Sequence, residues 1–211
     1  MNRKIIKEAC VGSYEEAMDA YKKGASRIEL CADLNVGGVT PSFGTIKQSI
    51  KNIPLPIFVL IRPRAGDFFY TDDEFEVMRN DIKISREIGA TGVVFGALTN
   101  NKLLDMRIQL LIDEADGLEK TFHKAFDEVE DKQQLLEQLI ALKFHRILSS
   151  GSKSSFFDGL ENLKILLKRA EQRIKLVACG GITEHNLEYA INNLETNEFH
   201  GKLIVGKLNN R

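Results

Sequence analysis

Residues 56–70 read PIFVLIRPRAGDFFY and join a short apolar segment to a cluster of charged and aromatic side chains. The apolar residues 57–61 predict a strand that is fully buried. Pro63 holds the preceding Arg62 in an extended conformation, so we expect the Arg62 guanidinium at the end of that strand. Its planar fork of five donors suits an anion clamp there. A surface arginine pair beside a turn is the alternative interpretation.

The composition favours one globular domain over residues 1–211. Lysine and arginine number 29 against 30 acidic residues, and this balance argues against a protein that holds nucleic acid by its phosphates. The sequence shows neither an apolar run of membrane-span length nor a signal-peptide core. Three cysteines do not form a disulfide framework, so we expect free thiols and a cytoplasmic location without membrane association.

Strand and helix patterns alternate along the whole chain. A parallel pair of strands needs a long crossover, so helices between successive strands indicate a parallel sheet. Eight such units predict a TIM (β/α)₈ barrel. An open doubly wound sheet is the alternative, but Gly12-Ser13 after the first strand does not match its glycine-rich fingerprint. The strands are predicted at residues 5–10, 27–31, 57–61, 92–98, 119–126, 146–149, 174–179 and 198–205.

The last unit is incomplete, because only residues 206–211 follow the eighth predicted strand. This is too short for a full eighth helix. The flank is then either uncovered or covered by a neighbouring subunit, which predicts a homo-oligomer.

The first two strands end alike, in Glu8-Ala9-Cys10 and Glu29-Leu30-Cys31. In a strand, residues i and i+2 share a face, so each carboxylate lies on the same face as its thiol. Neighbouring strands are about 4.8 Å apart, which allows the two thiols to approach each other. Such a pair suits Cu(I) or another thiophilic ion. Free cysteines are also common core residues, and two small core side chains are the alternative.

The two glutamates need cations, since a buried carboxylate is costly unless it is paired. Arg62 on the adjacent third strand is the expected partner of Glu8 and Glu29. We therefore expect a buried polar network in the barrel mouth.

Strand five carries His123, with Asp127 just past its end on the same face. A histidine with a carboxylate in reach is typical of general acid/base catalysis. A core histidine bonded to the backbone is the alternative.

Two glycine- and serine-rich turns follow strands six and seven. Ser150 lies in the first and Gly180-Gly181 in the second. Such turns expose backbone N–H groups that bind anions, and barrels often bind phosphate after strand seven. A tight turn with no ligand is the alternative.

These segments together resemble the CutC family of copper homeostasis proteins. The similarity covers nearly the whole chain in order, and its most specific parts are IRPRAGDFFY (61–70) and TFHKAFD (121–127). The further matching segments are RIELC (27–31), GGVTPSFG (37–44), GVVFGALT (92–99), RILSSG (146–151), GGIT (180–183) and EFH (198–200).

The resemblance implies a TIM barrel, a cytoplasmic protein and a role in copper handling, with Cys10 and Cys31 as thiols for Cu(I). It places at the barrel mouth Glu8, Glu29, Arg62, Arg64, Asp67, His123, Asp127 and the Gly180-Gly181 turn. The sequence departs from the family pattern at Lys124, where arginine is usual, and after His200, where Gly-Lys-Leu follows. These departures argue against a site built from strand eight.

Two functions follow from these residues. The first is a copper homeostasis protein that binds Cu(I) through Cys10 and Cys31. The second is a TIM-barrel enzyme for a small anionic or phosphorylated metabolite, with Glu8, Glu29, Arg62, His123 and Asp127 as catalytic groups. Arg64, Asp67, Ser150, Gly180 and Gly181 would then bind the substrate.

Overall fold

Eight parallel strands close into a barrel in which each strand pairs with the next and the first pairs with the last. This is a computed structural model that describes residues 4–152 and 154–209. It confirms the predicted TIM (β/α)₈ architecture. The strands are β1 (Ile6–Val11), β2 (Arg27–Leu30), β3 (Ile57–Leu60), β4 (Gly92–Phe95), β5 (Glu119–Phe122), β6 (Arg146–Ser149), β7 (Lys175–Ala178) and β8 (Glu198–Gly201).

Seven α-helices surround the barrel in the part of the chain that the structure describes. The longest begins at a capping box in which Thr71 and Glu74 satisfy each other's backbone N–H groups. The helices are α1 (Tyr14–Lys22), α2 (Phe43–Asn52), α3 (Asp72–Ile88), α4 (Ile108–Glu114), α5 (Lys132–Ala141), α6 (Leu160–Ala170) and α7 (Leu187–Asn193). Each of them is too short or too polar to cross a membrane.

The C-terminal segment takes the place of an eighth helix beside α1. Leu208 is buried, the Lys207 carbonyl accepts a 2.5 Å hydrogen bond from Lys23 Nζ, and the Asn209 amide donates to Asp19 at 2.9 Å. As expected, no α-helix follows β8 among the residues that the structure describes. The homo-oligomer stays a prediction.

Alternate strand residues face two different environments. One set, including Ala9, Ile28 and Val59, belongs to the large apolar core shared with the helices. The other set faces the barrel interior, where small apolar clusters around Phe58 and Val177 lie among charged side chains. The inner face therefore supplies the polar groups of the mouth.

Strands β4 and β8 end at Phe95 and Gly201, before the predicted residues 98 and 205. Strand β5 is also shorter than predicted. It ends at Phe122, and the chain turns at once into a 3₁₀ helix, Lys124–Glu128. The His123 ring starts this turn by accepting a hydrogen bond from the Ala125 amide. Asp127 therefore does not continue the strand face that carries His123.

Candidate functional site

The register of β1 and β2 brings the two predicted thiols together at the carboxyl end of the barrel. Cys10 lies opposite Glu29, and the Cys31 amide donates to the Val11 carbonyl. The sulfur atoms of Cys10 and Cys31 are 3.9 Å apart, and both residues are buried. Both cysteines are free, so this is a dithiol.

Two further donors join the thiols. The ligand atoms of Cys10, Glu29 and His200 all lie within 4.8 Å of one another, and all three residues are buried. Cys31 Sγ is 3.7 Å from the Glu29 carboxylate. We call Cys10, Glu29, Cys31 and His200 the thiol wall. Barrel closure between β8 and β1 is what places His200 beside Cys10.

Glu8 orients the His200 ring. The Glu8 carboxylate is 2.8 Å from His200 Nδ1, and His200 Nε2 is 3.7 Å from the Glu29 carboxylate. A carboxylate that holds one ring nitrogen and leaves the other for a metal is the usual support of a metal-binding histidine. Burial disfavours the charged ring, but Glu29, Cys10 and Glu8 outweigh it and raise the pKa of His200 well above its ordinary value.

The residues of the thiol wall shift one another's pKa values. A hydrogen bond from Cys31 lowers the pKa of Cys10 well below that of a free thiol, and the same bond raises the pKa of Cys31. Burial, together with the charge on Cys10, raises the pKa of Glu29. Cys10 is therefore the thiol that ionises more readily, and the thiolate is the form that binds metals.

An ion-pair network below the thiol wall neutralises Glu8. Arg27 donates to both Glu8 and Glu198, and the Arg27–Glu198 contact is 2.6 Å. Arg146 donates to the same Glu198 carboxylate at 3.0 Å and also pairs with Glu119. Burial would raise the pKa of Glu8, but Arg27 and His200 lower it to about 2.

The expectation that Arg62 pairs with Glu8 and Glu29 is wrong. Its guanidinium donates instead to the carbonyls of Val36, Gly38 and Gly66, at 3.2, 2.8 and 2.6 Å. The loop 34–38 and the turn after Pro63 surround the guanidinium, so its N–H groups donate to backbone carbonyls instead of carboxylates. Among the described residues no carboxylate forms an ion pair with it.

The expected acid/base pair of His123 and Asp127 is also not formed. The Asp127 carboxylate accepts hydrogen bonds from Ser149 Oγ at 2.6 Å and from the Ser150 amide and hydroxyl at 2.9 and 2.7 Å. It therefore fixes the turn after β6. His123 Nδ1 accepts from the Ala125 amide at 3.2 Å, and within the described chain its Nε2 has no partner.

Arg64 and Asp67 lie outside the mouth. Arg64 pairs with Asp67 at 3.0 Å and with Glu74 at 2.5 Å, and the Asp67 side chain is 72% exposed. These contacts fix the turn that leads into α3. Substrate binding by these two residues has no support from their position.

The mouth encloses a cavity of about 370 Å³. Its lining includes Cys10, Glu29 and His200 of the thiol wall together with Arg62, His123 and Lys124. We call Arg62, His123 and Lys124 the donor wall. Gly180 and Gly181 also line the cavity, as the resemblance implied, whereas the Ser150 hydroxyl donates a hydrogen bond to Asp127.

Sequence reasoning missed His200, Arg27 and Glu198. The signal was present, because Arg27-Ile-Glu29-Leu-Cys31 and Glu198-Phe-His200 show the same alternation of polar and apolar residues as Glu8-Ala-Cys10. In a closed barrel β8 is the neighbour of β1, so the Glu198–His200 face had to meet Glu8. The argument against a site built from strand eight therefore does not hold, because His200 on β8 lies beside Cys10 and Glu29.

Comparison with known proteins places this geometry in a family. The model of the CutC family matches residues 5–205. The human "copper homeostasis protein cutC homolog" is 44% identical over 197 residues, which are 93% of this chain and 72% of the human protein. A CutC family protein of Pasteurella multocida is 42% identical over 194 residues, covering 92% and 80% of the two chains.

A solved structure has the same fold at recognisable sequence identity. The crystal structure described as a copper homeostasis protein CutC of Streptococcus agalactiae superposes with a TM-score of 0.89 at 35% identity, over 95% of this chain and 99% of that one. The family model, the relatives and this structure agree. The chain belongs to the CutC family.

Proposed function

We propose that the thiol wall binds Cu(I) and that the protein acts in copper homeostasis, in a cytoplasm reducing enough to keep its thiols free. The observation that carries this proposal is the buried pair of free sulfurs 3.9 Å apart with His200 beside them. Thiolates and imidazole are ligands that soft and intermediate metal ions prefer. The human and Streptococcus agalactiae relatives carry names that refer to copper homeostasis.

The spacing of the sulfurs supports a shared ion. Two metal–sulfur bonds of about 2.3 Å, the length found with zinc, span at most about 4.6 Å. Sulfurs 3.9 Å apart can therefore hold one ion without movement of β1 or β2. The depressed pKa of Cys10 supplies a thiolate, and Glu8 holds His200 in place as a third donor, which binds the ion once its ring releases the proton that the raised pKa retains.

The copper proposal is tested by competition for Cu(I) against a chromogenic chelator under anaerobic conditions. The wild type is expected to bind one Cu(I), and Cys10→Ser with Cys31→Ser is expected to abolish that stoichiometric binding. Cys179→Ser is the matched control, because this third buried thiol, whose pKa is raised by burial, follows β7 and lines the same cavity but does not belong to the Cys10–Cys31 pair. Undiminished affinity in the double variant would contradict the proposal.

An enzymatic function based on His123 and Asp127 lacks its acid/base pair, since the Asp127 oxygens are taken by Ser149 and Ser150. We therefore propose no acid/base catalysis. The donor wall nevertheless has a chemistry of its own.

A further inference from the structure

We propose that the donor wall binds a small oxyanion, a carboxylate or a phosphate on a short apolar body, beside the thiol wall and independently of it. This goes beyond the copper proposal, since neither Arg62 nor His123 belongs to the dithiol cluster. Three features of the described residues carry the inference: an unpaired buried cation, an unused N–H donor and an unpaired ammonium.

Arg62 is the buried cation. It is 6% exposed, and its hydrogen-bond acceptors are the neutral carbonyls of Val36, Gly38 and Gly66. Its guanidinium lies 5.1 Å from the centre of the Phe68 ring. A buried positive charge that forms no ion pair is costly, and an anion in the adjoining cavity would compensate it.

His123 is the unused donor. The residue is 5% exposed, and its Nδ1 accepts from the Ala125 amide, which assigns the proton of the neutral ring to Nε2. Burial, together with the charge on Arg62, lowers the pKa of His123 to about 3, so the ring stays neutral at physiological pH. Its Nε2–H finds no acceptor among the residues described. A ligand oxygen in the cavity would supply one.

Lys124 adds a second positive charge. It is half-buried, lines the same cavity, and forms no hydrogen bond or ion pair with any residue that the structure describes. Beside it, Gly180 and Gly181 adopt φ of 93° and 85° at the cavity edge, and their amides donate to no described residue. Consecutive free amides in such a turn are a common element of anion sites.

The rest of the lining limits the size and polarity of the ligand. Leu60, Phe68, Leu148 and Ile182 contribute apolar surface to a cavity of about 370 Å³. A compact anion with a short hydrocarbon body fits this combination of charged donors and apolar walls.

The test is calorimetric titration of metal-free protein with isobutyrate, with inorganic phosphate and with isobutyramide, the uncharged match of isobutyrate. We expect one site for an oxyanion and binding of isobutyramide at least about tenfold weaker than that of isobutyrate, as for the loss of a charge-assisted hydrogen bond. Tighter binding of isobutyrate identifies a carboxylate ligand, and tighter binding of phosphate identifies a phosphorylated one. If neither anion binds at concentrations up to about 10 mM, the proposal is overturned, because a functional site is expected to bind its ligand at millimolar concentration.

Two variants locate the site. His123→Asn keeps an acceptor for the Ala125 amide and removes the Nε2–H, and Lys124→Met removes the unpaired charge. Each is expected to weaken oxyanion binding about tenfold or more, whereas His185→Asn and Lys83→Met, at exposed positions, leave it unchanged. Equal binding by all four variants would overturn the assignment.

A third experiment distinguishes this proposal from the copper proposal. Cys10→Ser with Cys31→Ser removes the dithiol and is expected to leave oxyanion binding intact. Loss of oxyanion binding in that variant would contradict independence of the two walls. Histidine ¹⁵N spectra give a second readout, in which added oxyanion is expected to shift the His123 Nε2 resonance but not that of His185.

Discussion

The two walls of the mouth differ in how their charges are compensated. In and below the thiol wall, each buried acid has a cationic neighbour: Glu8 contacts Arg27 and His200, Glu198 contacts Arg27 and Arg146, and Glu29 lies 3.7 Å from His200. In the donor wall, neither Arg62 nor Lys124 forms an ion pair with a described acidic residue, and His123 Nε2 has no acceptor among the described residues.

This difference suggests what each wall requires from outside the chain. The charges in and below the thiol wall nearly cancel one another. Its ligand atoms include soft sulfur donors, which suit a metal ion. The donor wall carries uncompensated positive charge, which suits an anion. One barrel thus presents two kinds of site around a single cavity.

Arg27→Met is expected to have the largest effect. It leaves Glu8 and Glu198 without their shared cation, and breaking a buried ion pair costs about 3–5 kcal/mol in unfolding free energy. Urea unfolding monitored by circular dichroism measures this change. Arg169→Met, which breaks an exposed pair with Glu137, is the control and is expected to cost at most about 1 kcal/mol. Equal losses in the two variants would show that the network is not structural.

Glu8→Gln should weaken Cu(I) binding without removing a ligand. The amide holds the His200 ring less well and does not raise its basicity, and loss of such a supporting carboxylate typically costs about 10–100-fold in metal affinity. Chelator competition measures it, with Glu76→Gln on the surface of α3 as the control. Unchanged affinity would mean that His200 is not a ligand.

The same variant has a pH signature. The pKa of Glu8 is lowered from 4.5 to about 2, so its stabilisation is fully present above pH 4.5 and is lost as pH falls towards 2. We expect the slope of the unfolding free energy against pH in this window to be smaller in Glu8→Gln than in the wild type. Parallel curves for the two proteins would contradict the assigned shift.

His123→Asn tests the neutral ring of the donor wall. The pKa of His123 is lowered from 6.5 to about 3, so below pH 6.5 the unfolded chain binds a proton that the folded chain does not. The wild type therefore loses up to about 1.4 kcal/mol per pH unit from this group as pH falls from 6.5 to 3, and the variant does not. Unfolding free energies at several pH values measure the difference, and His185→Asn should keep the wild-type slope.

Lys124→Met should have the smallest effect on folding. The ammonium contacts no described partner, so its removal is expected to change the unfolding free energy by less than about 0.5 kcal/mol. A loss of several kcal/mol would mean that Lys124 is a structural residue and would remove it from the donor wall.

The fold was predictable because the βα repeat is strong in local sequence. The alternation of strand and helix patterns predicted the closed barrel of eight parallel strands, and the short segment after the eighth strand predicted that no full helix follows it. Strand β5 was predicted too long, because the alternation of residues continues through Phe126 while the Ala125 amide bonds to the His123 ring.

The site was only half predictable, because its partners come from distant parts of the chain. The proximity of Cys10 and Cys31 follows from adjacent strands and was anticipated. The pairing of Glu8 with His200 depends on closure of β8 onto β1, across 192 residues of sequence. Arg62 was expected to pair with Glu8 and Glu29 only because its strand is adjacent to theirs. In the structure its N–H groups donate to loop carbonyls.

X-ray absorption at the copper edge of Cu(I)-loaded protein tests the central claim, that the thiol wall is a metal site. We predict a first shell containing two sulfurs, with an imidazole nitrogen that disappears in His200→Phe. A first shell of oxygen and nitrogen without sulfur, or a spectrum unaltered by Cys10→Ser with Cys31→Ser, would contradict it.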